Sequence, residues 1–242
     1  MKLLIVRHGD PNYAIDSLTP TGWKEAELLS HRLCKLDVKA FYVSPMGRAK
    51  DTAAATLHKL GREAEEQPWL REFLAMKVKD GDTEPTCLWD LLPSVWTQDP
   101  MVYDHEHWME APVFTPSNAE EQANWVYEGF DALLARHGYV RDGNVYRVEQ
   151  ANEDTIVLFC HFGLGCVLLG RLLHISPVLL WHGACAAPTS VTTVITEERR
   201  PGVAHFRMAG YGDISHLYAA DQEPSVSGRF CETYDSPGQR RD

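Results

Sequence analysis

The octapeptide KLLIVRHG, residues 2–9, indicates the fold class of this chain. Its apolar run over residues 2–6 does not alternate with polar positions, which is typical of a strand buried on both faces of a parallel sheet. Residues 155–160, TIVLFC, repeat this pattern and are followed by a glycine-containing turn and an apolar helix from Leu164 to Leu173. These strands predict an α/β fold with a mostly parallel central sheet and helices on both of its faces.

The remaining elements follow from capping residues and hydrophobic spacing. Thr19-Pro20 predicts the start of a helix that continues to about Leu36, and Gly61 predicts the end of a second helix. Ser117 and Glu120 have the spacing of a capping box and predict a further helix as far as Arg136 or His137. The other predicted segments are strands 40–43, 190–196 and 203–208 and the second helix over residues 46–60.

The length of 242 residues suits one large domain, which we expect to span residues 1–220. Residues 73–116, which we call the lid segment, interrupt the pattern with several prolines and tryptophans and predict an insertion over the site. Residues 221–242 are rich in Ser, Gly, Asp and Arg and predict a loosely held C-terminal tail.

The net charge of −11 argues against nucleic acid or an anionic membrane surface as a partner. No apolar run approaches the roughly 18 residues that a membrane span needs. The six cysteines form no CxxC pair, as expected of reduced thiols, and we therefore expect a cytoplasmic protein. Neither HExxH nor a Cys/His cluster is present, so the sequence predicts no metal site. We also expect no cofactor.

Polar side chains follow the predicted strands at the point where each strand ends. Arg7-His8-Gly9 follows the first strand, Ser44 and Arg48 follow the second, and His161-Phe162-Gly163 follows strand 155–160. Ligands of α/β folds bind at the carboxyl ends of the strands, so these groups are expected to share one site.

Their chemistry suits a phosphoryl group. Phosphoryl transfer spreads negative charge over the equatorial oxygens, and Arg7 and Arg48 can supply permanently charged planar forks to bind them. His161 can add another donor. His8 is then the expected nucleophile, because a neutral imidazole with one nitrogen held as a donor presents the lone pair of the other. Gly9, without a Cβ, would let the backbone approach the phosphate closely.

These residues resemble the signature of the histidine phosphatase (phosphoglycerate-mutase-like) superfamily. Arg7-His8-Gly9 is similar to its first motif, the run from Ser44 to Thr52 to its S-x-x-x-R-x-x-x-T segment, and His161-x-Gly163 to its second-histidine motif. Further similar elements are Leu18-Thr19-x-x-Gly22 and Gly212-Asp213-Ile214-Ser215-His216-Leu217.

The resemblance implies a three-layer α/β/α sandwich and a metal-independent reaction in two steps through a covalent phosphohistidine. It also implies a carboxylic acid that protonates the leaving group, and Leu70-Arg71-Glu72 matches its position, so Glu72 is the expected acid. Asp10 or Glu106 could serve instead. The other large branch places an Asp at the position that Phe162 occupies, which disfavours that branch.

The sequence departs from the phosphoglycerate mutases of this superfamily. Ala14 stands where they carry Asn, and the chain continues from Glu72 into Phe73 rather than into Arg-x-Tyr-Gly. We therefore expect a phosphomonoesterase acting on a small phosphorylated substrate. The alternatives are a phosphoglycerate-type mutase and a catalytically silent phospho-ligand or protein-binding module. Gly9, Phe162 and Gly163 are expected to line the substrate site with Asn12, whose side chain could instead serve a turn after Asp10-Pro11.

Overall fold

The computed structural model of the chain describes residues 1–78, 86–228, 233 and 235. Residues 79–85 of the lid segment, and most of the predicted tail beyond Gly228 with Cys231, lie outside the described residues. The described strands are β1 (Lys2–Arg7), β2 (Pro11–Asn12), β3 (Ser17–Leu18), β4 (Ala40–Val43), β5 (Glu65–Glu66), β6 (Tyr139–Asp142), β7 (Val145–Val148), β8 (Thr155–Cys160), β9 (Val191–Arg200) and β10 (Val203–Asp213). The described helices are α1 (Pro20–Leu33), α2 (Gly47–Leu60), α3 (Pro93–Trp96), α4 (Ala119–Arg136), α5 (Phe162–Leu173), α6 (Pro177–Gly183) and α7 (Ser215–Tyr218).

The central sheet has eight strands in the order β5-β4-β8-β1-β9-β10-β7-β6. Strands β5, β4, β8 and β1 are parallel to one another, whereas β9, β10, β7 and β6 continue the sheet in antiparallel pairs. The predicted α/β fold with a parallel core is confirmed. Two of the antiparallel pairs, β6–β7 and β9–β10, are hairpins, and a hairpin joins only antiparallel strands.

Strand β1 shows how the three layers form. Leu4 and Val6 pack into the hydrophobic cluster that includes residues of α1 and α2, whereas Leu3 and Ile5 pack into the larger cluster with α4 and α5. Because successive side chains of a strand point to opposite faces, an uninterrupted apolar run requires a helical layer on each side. Residues of β8 divide between the two clusters in the same way.

The helix ends agree with the capping predictions in most places. The Thr19 side chain accepts a 3.1 Å hydrogen bond from Gly22 N–H at the start of α1, and α2 ends at Gly61, whose φ is +59°. Helix α1 stops at Leu33, earlier than predicted, because the chain turns towards β4. The predicted capping box is wrong: the N-cap of α4 is Asn118, and Ser117 lies one residue before it.

Hairpins account for the other differences. Strands β6 and β7 are absent from the predicted elements, although Asp142-Gly143 is a common hairpin signal. They are short strands joined at Gly143 with φ +59°. Residues 197–200 were predicted as a turn, but they continue β9, and only Pro201-Gly202 connects it to β10. Glu197 stabilises this extension through ion pairs with Arg199 and Arg207, which lie beside it on the hairpin.

The lid segment contributes to the core of the protein. Its residues Leu88, Val102, Trp108 and Phe114 are buried in the larger hydrophobic cluster. Trp108 makes edge-on ring contact with Trp181 of α6. The described part of this segment is therefore packed on the sheet domain and not only laid over the site.

Gly22 on α1 is where the loop after β1 contacts the first turn of the helix. A Cβ at Gly22 would lie 2.3 Å from the Asp10 carbonyl oxygen. We expect Gly22→Ala to lower the free energy of unfolding by about 1–3 kcal/mol, because the backbone of the loop must move away. Chemical denaturation measures this change. Gly183→Ala is the matched control, since a Cβ there meets no atom within 4 Å; an equal loss in both variants would contradict the prediction.

Candidate functional site

The pairing of β1 with β8 brings the two motif histidines together. Arg7 and Cys160 are register partners in this parallel pair, so His8 and His161 follow directly at the same edge of the sheet. Their ring centroids lie 5.1 Å apart, and both residues are buried, with 2% of His8 and 1% of His161 exposed to solvent. Arg7, Arg48 and Glu72 are also buried. The five residues predicted to be catalytic thus all lie in the interior.

His8 is held in one orientation by the residue that follows it. Its Nδ1 lies 2.7 Å from the carbonyl oxygen of Gly9. A carbonyl can only accept, so Nδ1 carries the proton and Nε2 keeps a free lone pair. Gly9 N–H donates to Thr52 Oγ1 over 2.9 Å, and the Thr52 hydroxyl donates to the Arg48 carbonyl over 2.7 Å. This chain of bonds couples the orientation of His8 to the first turn of α2.

The guanidinium groups of Arg7 and Arg48 are only partly satisfied within the described residues. Arg7 Nη1 donates to the carbonyl oxygens of Ala186 and Ser227, and Arg48 Nη1 donates over 2.6 Å to the Asp16 carboxylate. The Nε atoms of both arginines are buried and have no hydrogen-bond partner among the described residues. A buried donor without a hydrogen bond destabilises the folded state, and an anionic ligand would supply the missing acceptor.

The site keeps its histidines neutral. Burial, followed by the positive charge of Arg7, lowers the pKa of His8 well below its usual range. Burial, the neighbouring imidazole of His8 and the positive charges of Arg48 and Arg7 lower the pKa of His161 in the same way. Neutral imidazole is the form of His8 that can attack phosphorus.

Glu72 lies at the start of helix α5. Its Oε1 accepts 2.8 Å hydrogen bonds from the amides of Phe73 and Leu164, and its Oε2 accepts a longer bond of 3.3 Å from Gly163 N–H. The positive end of the helix dipole favours a carboxylate at this place. Asp10 instead accepts from Thr19, and Glu106 is an exposed residue of the lid segment.

The four predicted substrate-binding residues have contacts of their own. Gly9 packs on α1, where a Cβ would lie 2.8 Å from the Gly22 carbonyl oxygen. Asn12 Oδ1 accepts a 3.2 Å bond from Ala14 N–H, which is the turn role. The Phe162 ring lies 5.9 Å from the Arg7 guanidinium carbon. A Cβ at Gly163 would lie 2.8 Å from both Glu72 Oε1 and Trp89 Cδ1.

Loops and the start of the tail supply further contacts to the site that are not predictable from the motifs. Asp16, in the tight β2–β3 connection with φ +47°, holds Arg48. Ser225 N–H donates to the buried carboxylate of Glu25, and the Ser227 carbonyl accepts from Arg7. Residues 225–228 are therefore packed against the domain, and the prediction of a loose tail is wrong for them. No local sequence pattern indicates such long-range contacts.

Burial lowers the pKa of several histidines and so links stability to pH. The affected residues are His8, His137, His161, His174, His182 and His216, the last with a pKa of about 4. Below about pH 6.5 the unfolded chain binds protons that the folded chain does not. We therefore expect the free energy of unfolding to fall as the pH decreases from about 6.5 to about 5.

Urea denaturation across this range measures the slope of the unfolding free energy against pH. His216→Gln should reduce this slope by the equivalent of up to one proton taken up on unfolding. The raised pKa of Glu25 acts in the opposite direction but concerns a single group. Stability that stays constant or rises on acidification would contradict the expectation.

Two further observations concern the described residues. No described helix has both the length and the apolar character needed to cross a membrane. In residues 1–78 and 86–228, no three His, Cys, Asp or Glu side chains are grouped so that they could hold a metal ion.

Solved structures with the same fold include several phosphatases. The phosphoserine phosphatase mutant of Entamoeba histolytica in complex with phosphoserine is 18% identical, with a TM-score of 0.60 over 89% of this chain and 98% of that chain. The mycobacterial glucosyl-3-phosphoglycerate phosphatase in complex with VO3 is 20% identical, with a TM-score of 0.58 over 87% and 98%. At these identities the likeness concerns the fold.

A search of curated proteins found no match. The family model of the histidine phosphatase superfamily (branch 1) matches residues 3–208, which is most of the chain and includes both motif histidines. The strand-end histidines, the parallel core and this match agree, and the chain belongs to the histidine phosphatase superfamily.

Proposed function

We propose that this protein hydrolyses small phosphomonoesters through a covalent phosphohistidine on His8. One observation carries the proposal: the Nδ1 proton of His8 is donated to the Gly9 carbonyl, Nε2 has no hydrogen bond to a described residue, and the charges of Arg7 and Arg48 act on the ring. Arg7 Nε, Arg48 Nε and His161 Nδ1 are buried and have no hydrogen-bond partner among the described residues. A nucleophile with an oxyanion-binding surround is what phosphoryl transfer requires.

In the first step His8 Nε2 forms a bond to phosphorus while the bond from phosphorus to the ester oxygen breaks. Arg7, Arg48 and His161 bind the equatorial oxygens, where negative charge accumulates. The leaving oxygen takes a proton from Glu72. In the second step Glu72 removes a proton from water, the water oxygen bonds to phosphorus, and the P–N electron pair returns to Nε2.

The two oxygens of Glu72 differ in a way that supports this role. Oε1 accepts two short backbone bonds, whereas Oε2 accepts only the 3.3 Å bond from Gly163. Protonation of Oε2 therefore weakens only the longer hydrogen bond, the one from Gly163. We assign the transferable proton to Oε2. Apart from the substrate and the attacking water, these steps use only groups of this chain, and we expect the reaction to proceed without a metal ion.

The substrate class is proposed from size and charge. The solved structures include complexes with phosphoserine and with 3-phosphoglyceric acid, which are small phosphorylated acids. The net charge of −11 disfavours polyanionic partners such as nucleic acid, whereas buried arginines can still bind one phosphate.

The decisive experiment is turnover of a panel of phosphomonoesters, including both of these acids, with EDTA present and in ¹⁸O-labelled water. We expect inorganic phosphate that carries one solvent oxygen, and protein-bound phosphate that is stable to alkali but labile to acid. Phosphate retained on an isomeric product would indicate a mutase instead. Phosphate binding without any turnover would indicate a silent binding module.

A further inference from the structure

In the described part of the chain, one ring nitrogen of His161 has a hydrogen-bond partner and the other has none. Its Nε2 lies 2.7 Å from Ser44 Oγ, and its Nδ1 is buried without a partner among the described residues. Ser44 directly follows β4, the strand that pairs with β8, and is fully buried. If Nε2 of the neutral ring accepts this bond, Nδ1 carries the proton. If Nε2 donates it, Nδ1 carries a lone pair.

The direction of this contact depends on where the serine proton can go. Met46 N–H donates to Ser44 Oγ over 3.2 Å, so that bond uses one of the two lone pairs of the serine oxygen and leaves its proton without an acceptor. Among the described residues His161 Nε2 is the one acceptor within reach of the serine proton. If Nε2–H donated instead, the buried serine hydroxyl would lose its acceptor, which is unfavourable.

We propose that Ser44 is a positioning residue that holds neutral His161 in the tautomer with the proton on Nδ1. In this tautomer the buried Nδ1–H is a donor, like the Nε–H groups of Arg7 and Arg48. The opposite tautomer would present a lone pair to the phosphoryl oxygens and repel them. The effect of the tautomer on phosphate binding rests on the proposed function, whereas the tautomer can be measured without turnover.

Nitrogen-15 NMR of the histidine rings tests the tautomer directly in the full chain without substrate. The signals of His161 are assigned by their loss in His161→Gln. We expect protonated Nδ1 and unprotonated Nε2 in the parent protein, and a shift of the population towards protonated Nε2 in Ser44→Ala. A parent protein with the proton on Nε2 would overturn the proposal, whatever the activity.

Inorganic phosphate binding and turnover provide the second measurement. For Ser44→Ala we expect phosphate affinity to fall roughly tenfold or more and kcat/KM to fall by about a hundredfold, the usual loss for one charge-stabilising donor. Ser44→Thr, which keeps the hydroxyl, should recover most of both. Ser176→Ala is the matched control, because Ser176 is an equally buried hydroxyl that bonds to Val102 away from the pocket.

The outcomes separate this proposal from the proposed function. Turnover with the wrong His161 tautomer, or with full activity in Ser44→Ala, would contradict the role of Ser44 alone. The expected tautomer in a protein that releases no phosphate would contradict the hydrolase alone. If Ser44→Ala does not fold, the parent spectrum and Ser44→Thr still decide the question.

Discussion

His8→Ala is expected to reduce phosphate release by more than about a thousandfold, beyond the loss typical of a single stabilising donor. The reason is that His8 forms the bond to phosphorus in the proposed reaction, and no neighbour can replace it. The only other imidazole at the site, His161, has its Nε2 occupied by Ser44 within the described contacts. The variant should also fail to acquire acid-labile phosphate.

The variant should nevertheless still bind inorganic phosphate, because Arg7, Arg48 and His161 remain. This combination separates loss of a nucleophile from loss of the fold. His31→Ala is the matched control, since His31 is exposed on α1 and bonds only to Glu27 among the described residues. Undiminished turnover of His8→Ala would exclude the covalent mechanism.

Arg48→Ala is expected to lower kcat/KM by about a hundred- to a thousandfold. Arg48 is 6% exposed, and its Nε is a buried donor that has no partner among the described residues. Its charge acts in a poorly solvated pocket, where electrostatic stabilisation is stronger than in water. Arg48→Lys should recover only part of the loss, because an ammonium group lacks the planar fork that binds two oxygens together.

The matched control is Arg62→Ala, since Arg62 donates to the carbonyls of Val38 and Lys39, outside the pocket. Asp16→Asn provides a graded comparison because it removes the charge that holds Arg48 but leaves the arginine in place. We expect its loss of activity to be smaller than that of Arg48→Ala. Equal kcat/KM in the parent protein and Arg48→Ala would contradict the proposed oxyanion pocket.

Much of the site could be predicted because chemically distinctive residues follow strongly apolar strands. The runs before His8 and His161 are long enough and apolar enough to identify buried strands, and parallel strands end at a common edge. The helix after Thr19 was predicted for a similar reason, since a threonine followed by proline is a local signal for a helix start. Each of these signals lies within a few residues of the element it predicts.

Other features were not predicted correctly because local patterns do not decide them. The hairpin of β6 and β7 consists of short strands with many polar residues, and it forms because β10 offers a partner edge. The capping box at Ser117 was a valid local pattern, but the chain enters α4 one residue later. Neighbouring elements outweigh weak local preferences in such segments.

The sequence by itself determined the α/β class, the family and the strand-end positions of Arg7, His8 and His161, since these follow from hydrophobic period and residue type. Only the tertiary structure decided which groups contact the site residues. Ser44 bonds to His161, Asp16 bonds to Arg48, and the Ser227 carbonyl accepts from Arg7, 220 positions earlier in the chain. The physical reason is that burial patterns are local properties of the chain. A hydrogen bond between distant segments depends instead on how the completed layers pack.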